Sequence, residues 1–234
     1  MQLQGDGRVG RDACIRGGIG YFEGRPCVCI GTAKGHTPKQ MEEANYGMDS
    51  PHGYRTALRL MQLAERFNMF VLTFVDTVGA WPTFECEGAG QSEAIATNLT
   101  IMAGLKVPII TLLVGEGGSG GALGIGMGNY IGMLSGGYFG VISPEGAASI
   151  LGRYKDDKHK AEQYPKDCQA LATAQCIYAY QLKAIGVVDE IVWESCNATG
   201  SAETYKVCVM PSLFGELGFE SGPFSHPILF YSIP

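Results

Sequence analysis

The sequence predicts an α/β protein built on a mostly parallel sheet. Continuous apolar runs rich in β-branched and aromatic residues stand at Met69–Val75, Val107–Val114 and Val187–Val192. Capped or amphipathic helical stretches separate them, and no internal repeat or low-complexity tract interrupts the alternation. A strand buried on both faces reads as such a run because neither face meets water.

Residues 17–31 read as a β-hairpin with Glu23-Gly24-Arg25-Pro26 as its turn. Residues 32–48 are polar, and Gly35, Pro38 and Gly47 mark a loop around a short helix. Ser50-Pro51 announces a helix as N-cap and first-turn residues. Tyr54, Ala57, Leu58, Met61 and Ala64 then form one apolar stripe, with Arg55, Arg59, Gln62 and Arg66 on the other faces. The strand Met69–Val75 ends in the turn Asp76-Thr77-Val78-Gly79. Gln91–Met102 is a second helix. After the strand Val107–Val114, Gly115–Gly121 is read as a loop and Ala122–Met127 as helix. Ile131–Leu134 and Tyr138–Ile142 are short strands, and Ser143-Pro144-Glu145 caps a helix to about Leu151. Lys155–Lys166 is read as a charged connection, and Cys168–Ile185 as a helix stopped by Gly186. The domain organisation expected is an N-terminal extension (1–16), one domain (17–194) and an irregular tail (195–234).

At 234 residues the chain can bury one sizeable core. With 46% hydrophobic and 17% charged residues it is not a disordered protein. A net charge of −6 and a pI near 5.2 argue against nucleic acid and against a polybasic membrane contact. Eight scattered cysteines with no C-x-x-C pair read as buried thiols in a reducing compartment. The uncharged stretch Gly117–Pro144, with glycines every fourth residue from Gly120 to Gly140, resembles a transmembrane dimer helix. Its glycine density and the breaks at Asn129-Tyr130 and Ser135-Gly136-Gly137 argue against one continuous helix, so no membrane span is expected. The first residues carry neither an apolar leader nor an Arg/Ser-rich transit stretch.

Glycine is the compositional outlier at 34 residues, which points to function in the main chain. The strongest local signal is a buried strand, then Gly-Glu-Gly-Gly-Ser-Gly-Gly-Ala, then a helix. The first N–H groups of a helix lack intrahelical partners and carry partial positive charge, and glycine admits a ligand to that backbone. Such a turn can cradle phosphate or stabilise a developing oxyanion, or its glycines can serve close helix–strand packing. No lysine follows Gly120 and Gly121 as a phosphate loop requires. Gly115, Gly117 and Gly120 fit G-x-G-x-x-G, but the acidic residue expected some 20 positions on is missing.

Five segments carry a family resemblance. They are Gly47–Phe67 (with Pro51-His52-Gly53-Tyr54-Arg55), Phe74–Ala80, Gly90–Leu99, Gly115–Leu123 and Ile142–Leu151. In this order they resemble the α subunits of acetyl-CoA carboxylase carboxyltransferase, over Gly17 to Glu194. The resemblance implies a crotonase-like (ClpP/crotonase) ββα spiral and a biotin-dependent carboxyltransferase. The carboxyl group passes from carboxybiotin on a separate carrier protein to acetyl-CoA, giving malonyl-CoA for fatty acid synthesis. It further implies a β subunit as partner in a heterotetramer, with biotin carboxyl carrier protein and biotin carboxylase alongside. No metal is expected on this chain, the family's zinc ribbon belonging to the β subunit. The implied compartment is the plastid stroma or the bacterial cytoplasm.

By the same resemblance Gly120 and Gly121 form the oxyanion hole facing biotin. Thr77, Gly79 and Ala80 line the biotin pocket with Gly117, Gly118 and Ser119. Lys34, Arg55 and Arg59 are candidates for CoA phosphates or the β subunit, against an exposed helix face as the plainer reading. Asp76 is read as a capping residue, Glu116 as an acid that orients amides or is solvated, and Ser119 as a hydrogen-bonding residue rather than a nucleophile. His36, His52, His159 and His226 are spread out and read as structural or solvated.

The chain departs from the family in having almost no helical stretch before the first strand. It also has Val78 where proline is expected, and a less basic loop at Ala33–His36 and Ala44–Met48. Its tail after Glu194 lacks the family's ending. A truncated copy binding the β subunit without turnover is therefore the alternative expectation. A lone crotonase-fold enzyme is a third, for which no glutamate pair stands out.

Overall fold

A computed structural model describes residues 1–7 and 10–193, together with the backbone of residues 205–207 and 228–230. β1 (Ile15–Phe22) and β2 (Arg25–Thr32) pair antiparallel. Their turn is only Glu23-Gly24, with φ of 49° and 75°, so both central residues take the left-handed conformation that matches strand twist. Arg25 and Pro26 therefore belong to the strand, not to the turn.

From β2 onward the large sheet is parallel. β3 (Phe70–Thr77), β4 (Ile109–Gly118), β5 (Tyr130–Leu134) and β7 (Glu190–Val192) follow in the order β1-β2-β3-β4-β5-β7. β6 (Tyr138–Gly140) joins the far end of β4. The crossovers are α2 (Pro51–Arg66), α4 (Gln91–Gly104) and α5 (Ser119–Gly126). The short α1 (Pro38–Glu43) and α3 (Phe84–Gly88) precede α2 and α4.

Strand alternation divides the core in two. Val28, Ile30, Val71, Val75, Ile109 and Leu113 face the helices and pack with Tyr54, Leu60, Met61, Met102 and Ile125. Cys27, Phe70, Leu72 and Ile110 form the opposite face with Phe22 and Phe74. Each large aliphatic side chain so buried contributes about 1.5–3 kcal/mol. The stripe of α2 uses Leu60 in place of Leu58, because Tyr54, Ala57, Leu60, Met61 and Ala64 are the residues out of water.

Three other expectations are corrected. β4 runs on to Gly118, so the first part of the glycine run is strand. The segment read as a charged connection is the first half of α7 (Asp157–Ala174), capped by Asp156, whose side chain accepts from the His159 N–H. Its charges are those of a helix with no buried residue. The single helix expected to end at Gly186 is broken at Cys176 (φ 52°), and α8 (Ala179–Ala184) follows it. α6 (Pro144–Leu151) starts as predicted, with Ser143 Oγ accepting from Gly146 N–H.

The N-terminal segment is part of the domain. Leu3 N–H donates to Gly17 O, Ile19 N–H donates to Met1 O, and Cys14 is fully buried. Of the tail, β8 (Tyr205–Val207) and β9 (Ile228–Phe230) pair antiparallel; the remainder lies outside the described residues. No helix among the described residues is long and apolar enough to cross a membrane.

Candidate active site

β4 passes directly into α5, and the change of direction is made at Ser119, an exposed residue with φ of 57°. A side chain in that region costs about 1–2 kcal/mol relative to glycine. The spacing Gly117-Gly118-Ser119-Gly120-Gly121 is also the G-x-S-x-G of a strained strand-to-helix turn, a signal that reading Ser119 as a plain hydrogen-bonding residue leaves out. No side chain caps α5. The leading N–H groups of the helix thus have neither an intrahelical partner nor a side-chain acceptor.

The glycines on either side of this turn do different work. A Cβ on Gly118 would stand 2.0 Å from Val78 O, and one on Gly121 would stand 2.3 Å from Ala80 N. Both therefore let the β4–α5 backbone lie directly on Val78-Gly79-Ala80. A Cβ on Gly120 would meet nothing closer than Ile95 Cγ2 at 4.0 Å. Gly120 is the open position and Gly121 the packed one. Gly117 is closed by Phe139, Leu113 and the Tyr138 carbonyl.

The facing loop is held from behind. Thr77 is fully buried; its hydroxyl donates to Gly79 O over 2.9 Å and accepts from Gly79 N–H over 3.1 Å. Thr77 thus shapes the loop rather than presenting a free hydroxyl. Asp49 O accepts from Trp81 N–H at 3.0 Å and from Gln91 Nε2 at 2.8 Å. Asp49 and Ala80 form a parallel bridge.

Asp76 lies where β3 and β4 change register, Val75 opposing Leu113 and Thr77 opposing Gly117. Its Oδ1 accepts from Glu116 N–H at 3.0 Å, and Gly115 leaves room for that carboxylate. It joins the strands rather than capping a helix. Lys34 Nζ pairs with Asp76 at 3.5 Å and donates to Glu116. Burial pulls the Lys34 pKa down, and the hydrogen bond to Glu116 and the charges of both acids more than reverse it, leaving it raised. Burial, then the Glu116 charge, push the nearby Tyr138 hydroxyl up.

The cations predicted to meet phosphates are engaged inside the molecule. Lys34 is held by Asp76 and Glu116. Arg55 Nη2 donates to Ala89 O at 2.8 Å and to Glu93 at 3.1 Å. Arg59 donates to Gly5 O and Gln4 O. Arg55 ties α2 to the start of α4, and Arg59 ties α2 to the N-terminal segment. The histidines are structural or solvated where described. His52 Nδ1 meets Asp6 at 2.9 Å, His159 Nδ1 accepts from Lys155 N–H at 3.3 Å, and His36 is exposed. His226 lies outside the described residues.

Two supporting residues escaped the sequence reading. The Tyr54 hydroxyl donates to Gly121 O, and Asn98 Nδ2 donates to both Tyr54 O and Gly124 O. The signal for Asn98 was an amide in the middle of an apolar helix, a position that demands buried partners. Together they bind α2, α4 and α5 behind the turn. The arrangement presents open helix-end amides over a rigid, close-packed backbone, which suits stabilisation of negative charge on a substrate oxygen.

Residues 1–212 match the family model described as acetyl co-enzyme A carboxylase carboxyltransferase-like. The chain is 52% identical over 193 residues to the acetyl-coenzyme A carboxylase carboxyl transferase subunit alpha of Vibrio campbellii, and 48% identical to that of Ralstonia nicotianae. Each match covers 82% of this chain, which spans 57% of the relative's length. Among solved structures it resembles transcarboxylase 12S (TM-score 0.67, 18% identity, 76% of this chain and 34% of that one). It also resembles the β subunit of Pseudomonas aeruginosa geranyl-CoA carboxylase (0.63, 20%, 82% and 35%). A third likeness is to a Pseudomonas malonate decarboxylase hetero-dimer (0.64, 19%, 81% and 74%). The fold is the crotonase-like one that the sequence motifs imply.

Proposed function

The chain belongs to the acetyl-CoA carboxylase carboxyltransferase-like family, and from that premise we propose that its β4–α5 turn serves carboxyl transfer from carboxybiotin to acetyl-CoA, giving malonyl-CoA. The observation that carries this reading is the uncapped start of α5, open at Gly120 and packed at Gly118 and Gly121. Carboxybiotin, presented on a carrier protein, supplies the carboxyl group and a ureido oxygen that becomes negatively charged when that group leaves. The chain's part is electrostatic. The Gly120 and Gly121 N–H groups, fixed before reaction, would donate to that oxygen and lower the energy of the charge-separated state, in which the acetyl methyl proton would pass to the ureido anion. One such donor is worth about 2.7–4 kcal/mol.

The residues around the turn fit a flat ureido group: space stands over Gly120, while Gly79 and Ala80 pack against the adjoining Gly121. Thr77 and Tyr54 hold the two walls. Lys34, Asp76 and Glu116 keep the end of β4 in place and take no proton from substrate. With Lys34, Arg55 and Arg59 internally engaged, these three are not the groups that meet the acyl-CoA phosphates, a role this reading gives to the β subunit. The reading is tested by reconstitution with a bacterial β subunit and a carrier bearing preformed carboxybiotin. Malonyl-CoA should form only when all three proteins are present. Formation without the β subunit, or none in the complete mixture, contradicts it.

A further inference from the structure

Behind the site wall lies a cluster that carboxyl transfer does not use. Asp12, Cys14 and Asp49 bring two carboxylates and a thiol together, with ligand atoms all within 4.8 Å of one another. Cys14 and Asp49 are fully buried. Asp12 is fixed: Oδ1 accepts from Cys14 N–H at 2.7 Å and Ile15 N–H at 2.6 Å, and Oδ2 accepts from Ser50 N–H at 2.9 Å. Asp49 is not satisfied. Neither carboxylate oxygen accepts from an N–H or O–H group, and the weakly donating Cys14 thiol is what faces it.

The shortage extends to the neighbours. Seven buried side-chain oxygens among the described residues lack a partner, and four belong to this corner: both oxygens of Asp49, Ser50 Oγ and Thr32 Oγ1. Thr32 is paired with Ile15 across the hairpin, and Ser50 follows Asp49 and bonds to Asp12. A buried carboxylate beside another carboxylate, with no donor, costs several kcal/mol unless a cation or a proton neutralises it. Two carboxylates and a thiolate offer three negative charges, and each can reach one centre at bond lengths of about 2.0–2.3 Å after small shifts.

We propose that Asp12, Cys14 and Asp49 form a binding site for a zinc-type divalent cation. The thiol selects for a borderline metal over magnesium or calcium, which prefer all-oxygen shells. Binding expels the Cys14 proton and forms a thiolate–metal bond. The cation would tie the N-terminal segment to residue 49, whose backbone holds Ala80 and Trp81. It differs from the zinc-free chain that family resemblance implies, and it stands apart from the carboxyl-transfer reading.

Titration of the metal-free full-length chain with cobalt(II) tests the site. One equivalent should bind with a sulfur-to-cobalt charge-transfer band. That band should vanish in Cys14→Ser, affinity should fall at least about tenfold in Asp49→Asn, and the melting temperature should rise with metal concentration. X-ray absorption on the cobalt-loaded wild type supplies a reading that needs no variant: one sulfur ligand with oxygen ligands. Binding that survives loss of Cys14, a shell with no sulfur or with more than one, or no binding by the wild type (leaving a shared proton or water as the neutralising group) each overturns the proposal.

Discussion

Tyr54, a wholly buried residue of α2, donates its hydroxyl to the carbonyl of Gly121 over 3.0 Å. One of the glycines of the turn is thus held by a side chain 67 positions earlier in the chain. Burial first, and then the charges of Asp49, Asp12 and Cys14, raise the Tyr54 pKa well above its ordinary value, so the hydroxyl stays protonated and remains a donor. Tyr54→Phe should lower stability by about 1–2 kcal/mol, read from urea denaturation, because a buried carbonyl loses its partner. An unchanged midpoint would show that the bond does not hold Gly121 in place.

Asn98 links α4 to both neighbouring helices through one amide nitrogen. Asn98→Ala should cost more than Tyr54→Phe, about 2–4 kcal/mol, because two buried acceptors lose a donor at once. Thermal melting of the two variants side by side checks the order; the reverse ranking is the outcome that fails.

Gly118 and Gly121 touch the Val78–Ala80 backbone, whereas Gly120 faces open space. Gly118→Ala and Gly121→Ala should each destabilise the fold by about 1–3 kcal/mol, since backbone must move to admit the methyl group. Gly120→Ala should melt close to the wild type. Ser119→Gly should instead gain roughly 1 kcal/mol by relieving the left-handed conformation. Circular dichroism melts of the four variants separate packing from strain.

Lys34 sits between Asp76 and Glu116 with a pKa raised above its ordinary 10.5. A lysine whose folded pKa lies above its unfolded one stabilises fully below the unfolded value and loses that contribution as pH rises through the folded value. Lys34→Met should therefore be less stable than wild type by a constant margin between neutral pH and about pH 9. The margin should close only above pH 10.5. A gap that closes between neutral pH and about pH 9 contradicts the ion-pair assignment.

Much of the site was legible because its signals are local. Strand, glycine run and helix follow one another in a single stretch as read from residue types, although the helix begins at Ser119 and not at Ala122. The boundary at Gly118 was not legible, since glycine in a strand looks like loop until the pairing of β4 with β6 is known. Lys34 and Arg55 read as free cations for the same reason: their partners lie 82 and 38 residues away. α7 was hidden by its composition, a helix with no buried face and a proline at position 165. The buried cluster was invisible because Asp12, Cys14 and Asp49 meet only when the N-terminal segment packs beside α2.

The central claim is that the open amide of Gly120 stabilises charge during carboxyl transfer. Its most direct test is the initial rate of malonyl-CoA formation by Gly120→Val, in the complete mixture with β subunit and a carrier bearing carboxybiotin. Space at this position predicts a protein with wild-type melting behaviour and a rate lower by about 10²-fold or more, the loss typical of a blocked oxyanion donor. A folded Gly120→Val variant that transfers carboxyl groups at the wild-type rate would contradict the account.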